Sequence, residues 1–463
     1  MRIEKDSLGT KEVPQNVYWG IQTQRAIENY PISGLRAHPT FIDSFVMIKK
    51  AAALVNLELG LLKKEIGQAI VKSVDEVLAG KWRDQFVVDV FQAGAGTSFN
   101  MNVNEVLANR ASELLGGEKG EYSLCHPNDH VNMAQSTNDV FPTAMRMSAR
   151  ILLGDLLPVL KDLENSLAKK GEEFDSIVKS GRTHLQDAVP IRLGQEFFAY
   201  ALTVTKCRQR IEAVRELSEE LGIGGSAVGT GLNTHPHYRF KVVDLLKEWT
   251  KIPFRPATDL REAMQSNFPI SATAEALKLL ALELSRIAND LRLLCSGPLT
   301  GFAEIVLPAV QPGSSIMPGK VNPSMAEMLN MVCFQVIGNE LTISLAAQAG
   351  QLELNVMMPV MAFNLNFSLE IMKNGIREFD QRCIQGIVAN VQKCKNYAEM
   401  SPSLATALNS YVGYDRAAEV VTKALKENKS IPQIVRENKL LTEDQIKKVF
   451  DPKSLTEPGF PSI

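Results

Sequence analysis

The chain has 463 residues, of which 50 are basic and 52 acidic, leaving a formal charge of −2; no global field marks it for nucleic acid or for an anionic membrane surface. With 45% hydrophobic and 22% charged residues, it has the composition of a globular protein of about three ordinary domains, which excludes disorder over most of its length. The opening MRIEKDSLGTKEVP holds no apolar targeting core, and no run of about eighteen uncharged apolar residues follows it, so a cytoplasmic protein with neither a nucleic-acid nor a membrane partner is expected. Cys125, Cys207, Cys295, Cys333, Cys383 and Cys394 form no CxxC pair, so free thiols in a reducing compartment are expected rather than disulfides or a zinc or iron–sulfur site.

In chain order, VYWGIQTQRA around Val17 reads as a short strand, and Gly-punctuated loops continue to Asn138–Ala144. Uninterrupted helical patterning then begins. Leu153, Leu156, Leu160, Leu163 and Leu167 form one apolar seam, and a second runs from Leu193 to Leu221 through Phe197, Tyr200, Val204, Cys207, Ile211 and Val214. A third comprises Leu277, Leu280, Leu284, Ile287, Leu291 and Leu294. Seams spaced by threes and fours predict long helices packed as one antiparallel bundle. Ile305–Leu307 reads as a short strand. Ser324 to Glu340 reads as a helix started by Pro323 and ending near Gly338. The bundle closes near Cys394, and short amphipathic patterns at Ile431–Val435 and Asp444–Phe450 predict a small helical appendage. The expected organisation is mainly α, with domains at 1–138, 139–395 and 396–463. Seams this long expose more apolar surface than one subunit's bundle needs, which predicts oligomerisation through helix packing.

Four stretches are poor in core residues and rich in hydroxyls, amides and glycines: Gly94–Glu105, His126–Asp139, Gly181–Pro190 and Gln311–Pro323. Each sits beside a predicted helix, where backbone N–H groups and hydroxyls suit a carboxylate or phosphate. Taken singly they also read as turns and caps: Ser136, Thr137 and Asn138 as an N-cap, His184 as a structural histidine, Lys320 as a surface lysine. Other chemistries fail on specific residues. Val321 after Gly319-Lys320 breaks the phosphate-loop pattern, GIGGSAVGTG (Gly222–Gly231) follows a helix rather than a strand, His235 and His237 have no carboxylate at ligand spacing, and GxSxG is missing.

GSSIMPGKVNP at Gly313–Pro323 resembles the signature of the aspartase/fumarase superfamily, whose members cleave carbon–nitrogen or carbon–oxygen bonds and release fumarate. GTSFNMNVNEV, HPNDHVN with QSTND, GRTHLQDAVP, GTGLN and LELNV occur in the family's order, so the resemblance covers essentially the whole chain. GAGTS at Gly94–Ser98, QSTND, DAVP at Asp187–Pro190 and AGQLELNV at Ala349–Val356 are similar to the aspartase branch. HPNDHVN at His126–Asn132 resembles the accessory carboxylate site of class II fumarases. Leu299 and Met358 stand where aspartases usually carry an arginine and a glutamate, and Ser410 where a proline is common.

The resemblance implies a three-domain lyase with a central helical bundle, forming a twenty-helix core in a homotetramer whose sites each draw on three subunits. The activity implied is reversible anti-elimination of ammonia from L-aspartate to give fumarate through an enediolate, with no metal or organic cofactor. Matching positions make Ser314 the base. They place Thr97, Ser136, Thr137 and Ser315 around the β-carboxylate and Lys320 and Asn322 on the α-carboxylate. Asn138, Thr183 and His184 fall at the departing amino group, where His184 manages charge. The alternatives are class II fumarase, with water in place of ammonia, and a catalytically silent scaffold of the same superfamily.

Overall fold

The computed structural model describes residues 1–459, and within them the chain is mainly α-helical. Two compact units emerge: one from Met1–Leu157, Gln209–Ala281 and Phe334–Lys373, the other from Pro158–Arg208, Leu282–Cys333 and the chain from Asn374 onward.

In the first unit, an antiparallel hairpin pairs Arg2–Asp6 with Gly9–Val13. Its inward side chains include Arg2 and Glu4, so apolar alternation could not reveal it. The residues after Val17 are not the expected strand: Ile21–Asn29 is a helix. Two buried carboxylates open it. Glu105 accepts from the N–H groups of Gly20, Gln22 and Thr23, and Glu4 from that of Ile21, satisfying the donors that a helix start leaves free. The helices Pro39–Glu58, Lys64–Leu78 and Thr97–Leu114 pack beside it. Their core is aromatic, with the Phe41 ring 5.8, 5.4 and 5.0 Å from those of Phe45, Phe99 and Phe141.

The first and third leucine seams lie on the helices Thr137–Phe174 and Phe268–Leu294, and their apolar positions are buried. The second seam ends sooner than expected, because its helix is Leu193–Arg215 and the chain continues as a short 3-10 turn and the strand Glu220–Leu221. Tertiary contacts in the first unit outweigh helical periodicity there. Arg150 grips the Glu219 carboxylate at 2.8 Å, Arg146 takes the Glu220 carbonyl, and Glu220 pairs with Arg255.

In the second unit, Val178–Thr183 and Gln186–Arg192 form an antiparallel hairpin that the polar sequence did not announce. Ile305–Val306 is the expected strand, paired with Val388–Ala389. The helices Tyr414–Glu427, Ile431–Glu437 and Glu443–Val449 build an apolar cluster of their own around Leu408, Val420, Ile434 and Val449. The last two open with capping boxes, Ser430 with Gln433 and Thr442 with Gln445.

The helix expected to stop near Gly338 runs from Ser324 to Gln348. Its end is set by the amide of Asn355, which donates to the carbonyls of Ala346 and Ala347 at 3.0 and 2.9 Å and caps them. Between Glu327 and Glu340 it carries no charge, and by length and composition alone it could cross a bilayer, which a count of uncharged runs does not register. Leu329, Cys333, Val336 and Ile343 are buried, whereas Met331, Phe334, Leu341 and Leu345 form an opposite face that is exposed.

Candidate active site

In the first unit, the turn of Ala95 (φ 62°) and Gly96 (φ 85°) leads into the helix that Thr97 begins. Ala95 donates to the Val356 carbonyl at 2.7 Å, which ties the GAGTS motif to LELNV. A Cβ on Gly96 would lie 2.1 Å from the Phe141 ring, so only glycine fits. Thr97 itself is exposed. One helical turn on, Asn100 donates to the Thr137 hydroxyl at 3.0 Å, joining this helix to the QSTND motif.

Ser136 caps the next helix by accepting from the Asn138 N–H at 3.2 Å, and Asn138 donates to the Ala227 carbonyl at 2.9 Å. Beneath them Asp139 is fully buried and accepts from the N–H groups of Ser136, Gly224 and Ser226. Burial pushes its carboxyl up to about 6, against the pull of those three donors and of Lys49. The glycine-rich Gly222–Gly231 segment is thereby fastened beside the hydroxyl cluster.

In the second unit, Thr183 closes the hairpin opposite Gln186, and the two turn residues, His184 (φ 55°) and Leu185 (φ 60°), both lie in the left-handed region. Such a turn normally uses Asn or Gly. Thr183 and His184 stand exposed at its tip. The base of the hairpin is fixed by charge. Arg182 reaches both oxygens of Glu304, and Lys179 bridges Glu304 and Glu196 at 2.8 Å each.

The signature loop closes on itself. Gly313 donates to the Lys320 carbonyl at 2.8 Å, and the Asn322 amide donates to the Gly313 carbonyl at 2.6 Å. A Cβ on Gly313 would fall 2.6 Å from the Lys320 carbonyl oxygen. Inside the loop the Ser314 hydroxyl oxygen accepts from the N–H groups of Ile316 and Met317 at 3.2 and 2.9 Å. Ser315 and Lys320 are exposed. Lys320 and Asn322 line a cleft of about 670 Å³ with Arg292, Ser296, Ile305 and Asn390. Because Ile305 follows Glu304, the chain passes directly from the hairpin anchor to the cleft lining.

The candidate residues therefore fall into two sets, each held within its own unit: Thr97, Ser136, Thr137 and Asn138 in the first, and Thr183, His184, Ser314, Ser315, Lys320 and Asn322 in the second. Asn100, Asp139, Lys179, Arg182 and Glu304 support them and escaped the sequence reading as functional residues. So did Lys49, although its place in the apolar run FVMIKKAAALV, four residues after Phe45, is a signal that it faces inward.

A family model described as "Lyase" matches residues 9–338, and a second, "Fumarase C C-terminus", matches 404–457. The chain belongs to the aspartase/fumarase superfamily. It is 51% identical to an aspartate ammonia-lyase of Bacillus sp., covering 99% of this chain and 98% of that one, and 49% identical to a class II fumarate hydratase of Halobacterium salinarum, covering 99% and 97%. A solved fumarate lyase:delta crystallin of Brucella melitensis bound to cobalt superposes with a TM-score of 0.94 at 44% identity, over 99% of this chain and all of that one. Of the two positions singled out in the sequence, Leu299 is 88% exposed, whereas Met358 is fully buried.

Proposed function

We propose that the chain catalyses the reversible anti-elimination of ammonia from L-aspartate to give fumarate. The chemical difficulty is that the proton leaves a carbon beside a carboxylate, so its removal builds an enediolate carrying roughly two charges. Ser314 takes the Cβ proton. A serine alkoxide is scarcely populated in water, so the base needs donors aimed at its oxygen, and the N–H groups of Ile316 and Met317 are such donors. That geometry is the observation that carries the reading.

Thr97, Ser136, Thr137 and Ser315 bind the β-carboxylate and stabilise the enediolate. Lys320 supplies a point charge, and Asn322 an amide, to the α-carboxylate. Asn138, Thr183 and His184 surround the departing amino group, with His184 managing its charge. The sites form when copies of the chain associate as a homotetramer, and the exposed Met331, Phe334, Leu341 and Leu345 stripe supports helix packing between copies. Six free cysteines suit a reducing cytoplasm.

GAGTS and QSTND favour ammonia over water as the departing group, and fumarate hydration is the second reading, favoured by HPNDHVN at His126–Asn132. Incubation with fumarate plus ammonium, and with fumarate alone, separates them. Aspartate formed only in the first supports the proposal, and malate formed without aspartate overturns it.

A further inference from the structure

Lys49 lies in the middle of the Pro39–Glu58 helix with no exposed surface. Among the described residues no carboxylate pairs with it. Its ammonium donates to the side-chain oxygens of Asn100 and Asn132 at 2.8 and 2.9 Å. Burial pushes its pKa down to about 7, against the pull of the Asp139 carboxylate. The Phe45 ring, 5.5 Å from the ammonium, adds a weak cation–π contact, and a buried lysine held by neutral groups alone is costly to retain.

What the arrangement provides is direction. An ammonium can only donate, so Asn100 must turn its oxygen to Lys49 and its NH2 group away. That NH2 group donates to the Thr137 hydroxyl at 3.0 Å, with a longer branch of 3.3 Å to Asn132. The oxygen of Asn132 also receives Asn104 at 3.2 Å, and its own NH2 group donates to the Gln135 carbonyl at 3.1 Å. Asn100 and Asn132 are thus both oriented from the lysine outward, while Asn104 adds a second donor to the Asn132 oxygen. Thr137 accepts at the end of the chain, and among the described residues no protein acceptor takes its O–H.

We propose that Lys49 and Asn100 are positioning residues that fix the polarity of the Thr137 hydroxyl, keeping its proton for the substrate carboxylate. The inference rests on the reading of Thr137 as a carboxylate ligand and deepens it. Without the ammonium, Asn100 can flip, and Thr137 then donates into the protein instead of to the enediolate.

Asn100→Asp tests this with almost no change of shape. The new carboxylate gives Lys49 a counterion but has no hydrogen to offer, so Thr137 must donate to it. With wild type active on aspartate or malate, the variant should keep or raise Tm while kcat falls roughly 10²-fold, the loss typical of one oxyanion donor. Added to Thr137→Val, which already removes the hydroxyl, the same change should cost little more, a non-additivity that a merely structural role does not produce. Lys49→Met should also lower kcat, even if Tm rises. A kcat within twofold of wild type for Asn100→Asp, full additivity with Thr137→Val, or a large fall in Tm would each overturn the relay. A wild type inactive on both substrates would instead sink the functional reading on which it stands, and the relay with it.

Discussion

Arg182 and Glu304 meet through two hydrogen bonds of 2.9 and 3.0 Å, with Glu304 completely buried. The Arg182 guanidinium also lies 4.1 Å from the Phe302 ring, so it is held by charge and by stacking. Thr183 follows directly, which makes this pair the pivot from which the His184 turn projects. Lys179, almost wholly buried, depends on the same carboxylate. Removing one partner from a buried ionic cluster typically costs about 3–5 kcal/mol, because the remaining charges lose compensation. Glu304→Gln is therefore expected to lower stability by about that order in chemical denaturation, with a larger effect on activity than its distance along the chain from Thr183 suggests. Wild-type stability in this variant would show that Glu196 alone suffices for Lys179.

The turn that Arg182 supports is strained. His184 and Leu185 both sit at positive φ, and a non-glycine residue there costs roughly 1–2 kcal/mol. Leu185 is 64% exposed, so packing within the chain does not repay the strain. Leu185→Gly should raise stability by up to about 1 kcal/mol, after allowance for the greater freedom of glycine in the unfolded chain. It should also lower kcat by letting His184 wander. A denaturation midpoint that falls would mean that the leucine is covered in the assembled enzyme.

The bundle was legible because its seams are apolar at helical spacing, and Leu160, Leu163, Leu284 and Leu291 are all buried. What failed were boundaries set by distant groups. The end of the Ser324–Gln348 helix depends on Asn355, the start of Ile21–Asn29 on Glu4 and Glu105, and the early close of Leu193–Arg215 on Arg146 and Arg150. Glu4, Glu105, Arg146 and Arg150 lie 17 or more residues from the groups they hold, outside any short window of sequence, whereas Asn355 is within nine residues of the carbonyls it caps but carries no periodic signal that marks it as a cap. The hydroxyl-rich motifs stand out in the sequence by composition, while Lys49 and Glu304 do not, since one sits in an apolar run and the other among ordinary loop residues.

Glu105 shows how such a distant cap can be probed. One oxygen accepts from Gly20, Thr23 and the Thr23 hydroxyl, and the other from Gln22. Glu105→Gln replaces one acceptor by an NH2 group facing backbone donors. A buried unsatisfied group costs about 1–3 kcal/mol, so a loss in that range is expected by denaturant titration. An unchanged midpoint would place the helix start under the control of Glu4.

Asp139 carries a pH signature with a definite sign. Burial lifts its carboxyl from 3.8 to about 6 in the folded chain, so between those values the folded state holds more proton than the unfolded state. Stability from this group is therefore greatest below about pH 4 and declines as pH rises to about 6. Asp139→Asn cannot titrate and should lose that decline. The variant should also be weaker at neutral pH, since its NH2 group confronts the N–H donors of Gly224 and Ser226 or of Ser136. Stability measured against pH for both proteins checks the prediction, and parallel curves through pH 4–6 would refute it.

Ser314 and Lys320 share one loop but should fail differently when altered. In the proposed mechanism Ser314 acts on the Cβ proton, a contact that matters only as the bond breaks, so Ser314→Ala should lower kcat by roughly 10²- to 10⁴-fold, the range for a positioned base. Its KM should change little, because the loop closure through Gly313, Lys320 and Asn322 uses none of the Ser314 hydroxyl. Lys320, exposed and lining the cleft, is proposed to meet a carboxylate that is charged before the reaction starts. Lys320→Ala should therefore raise KM strongly, with kcat reduced as far as the contact strengthens in the transition state. Steady-state kinetics on both variants separate the roles, and a Ser314→Ala enzyme with near-wild-type kcat would require another base.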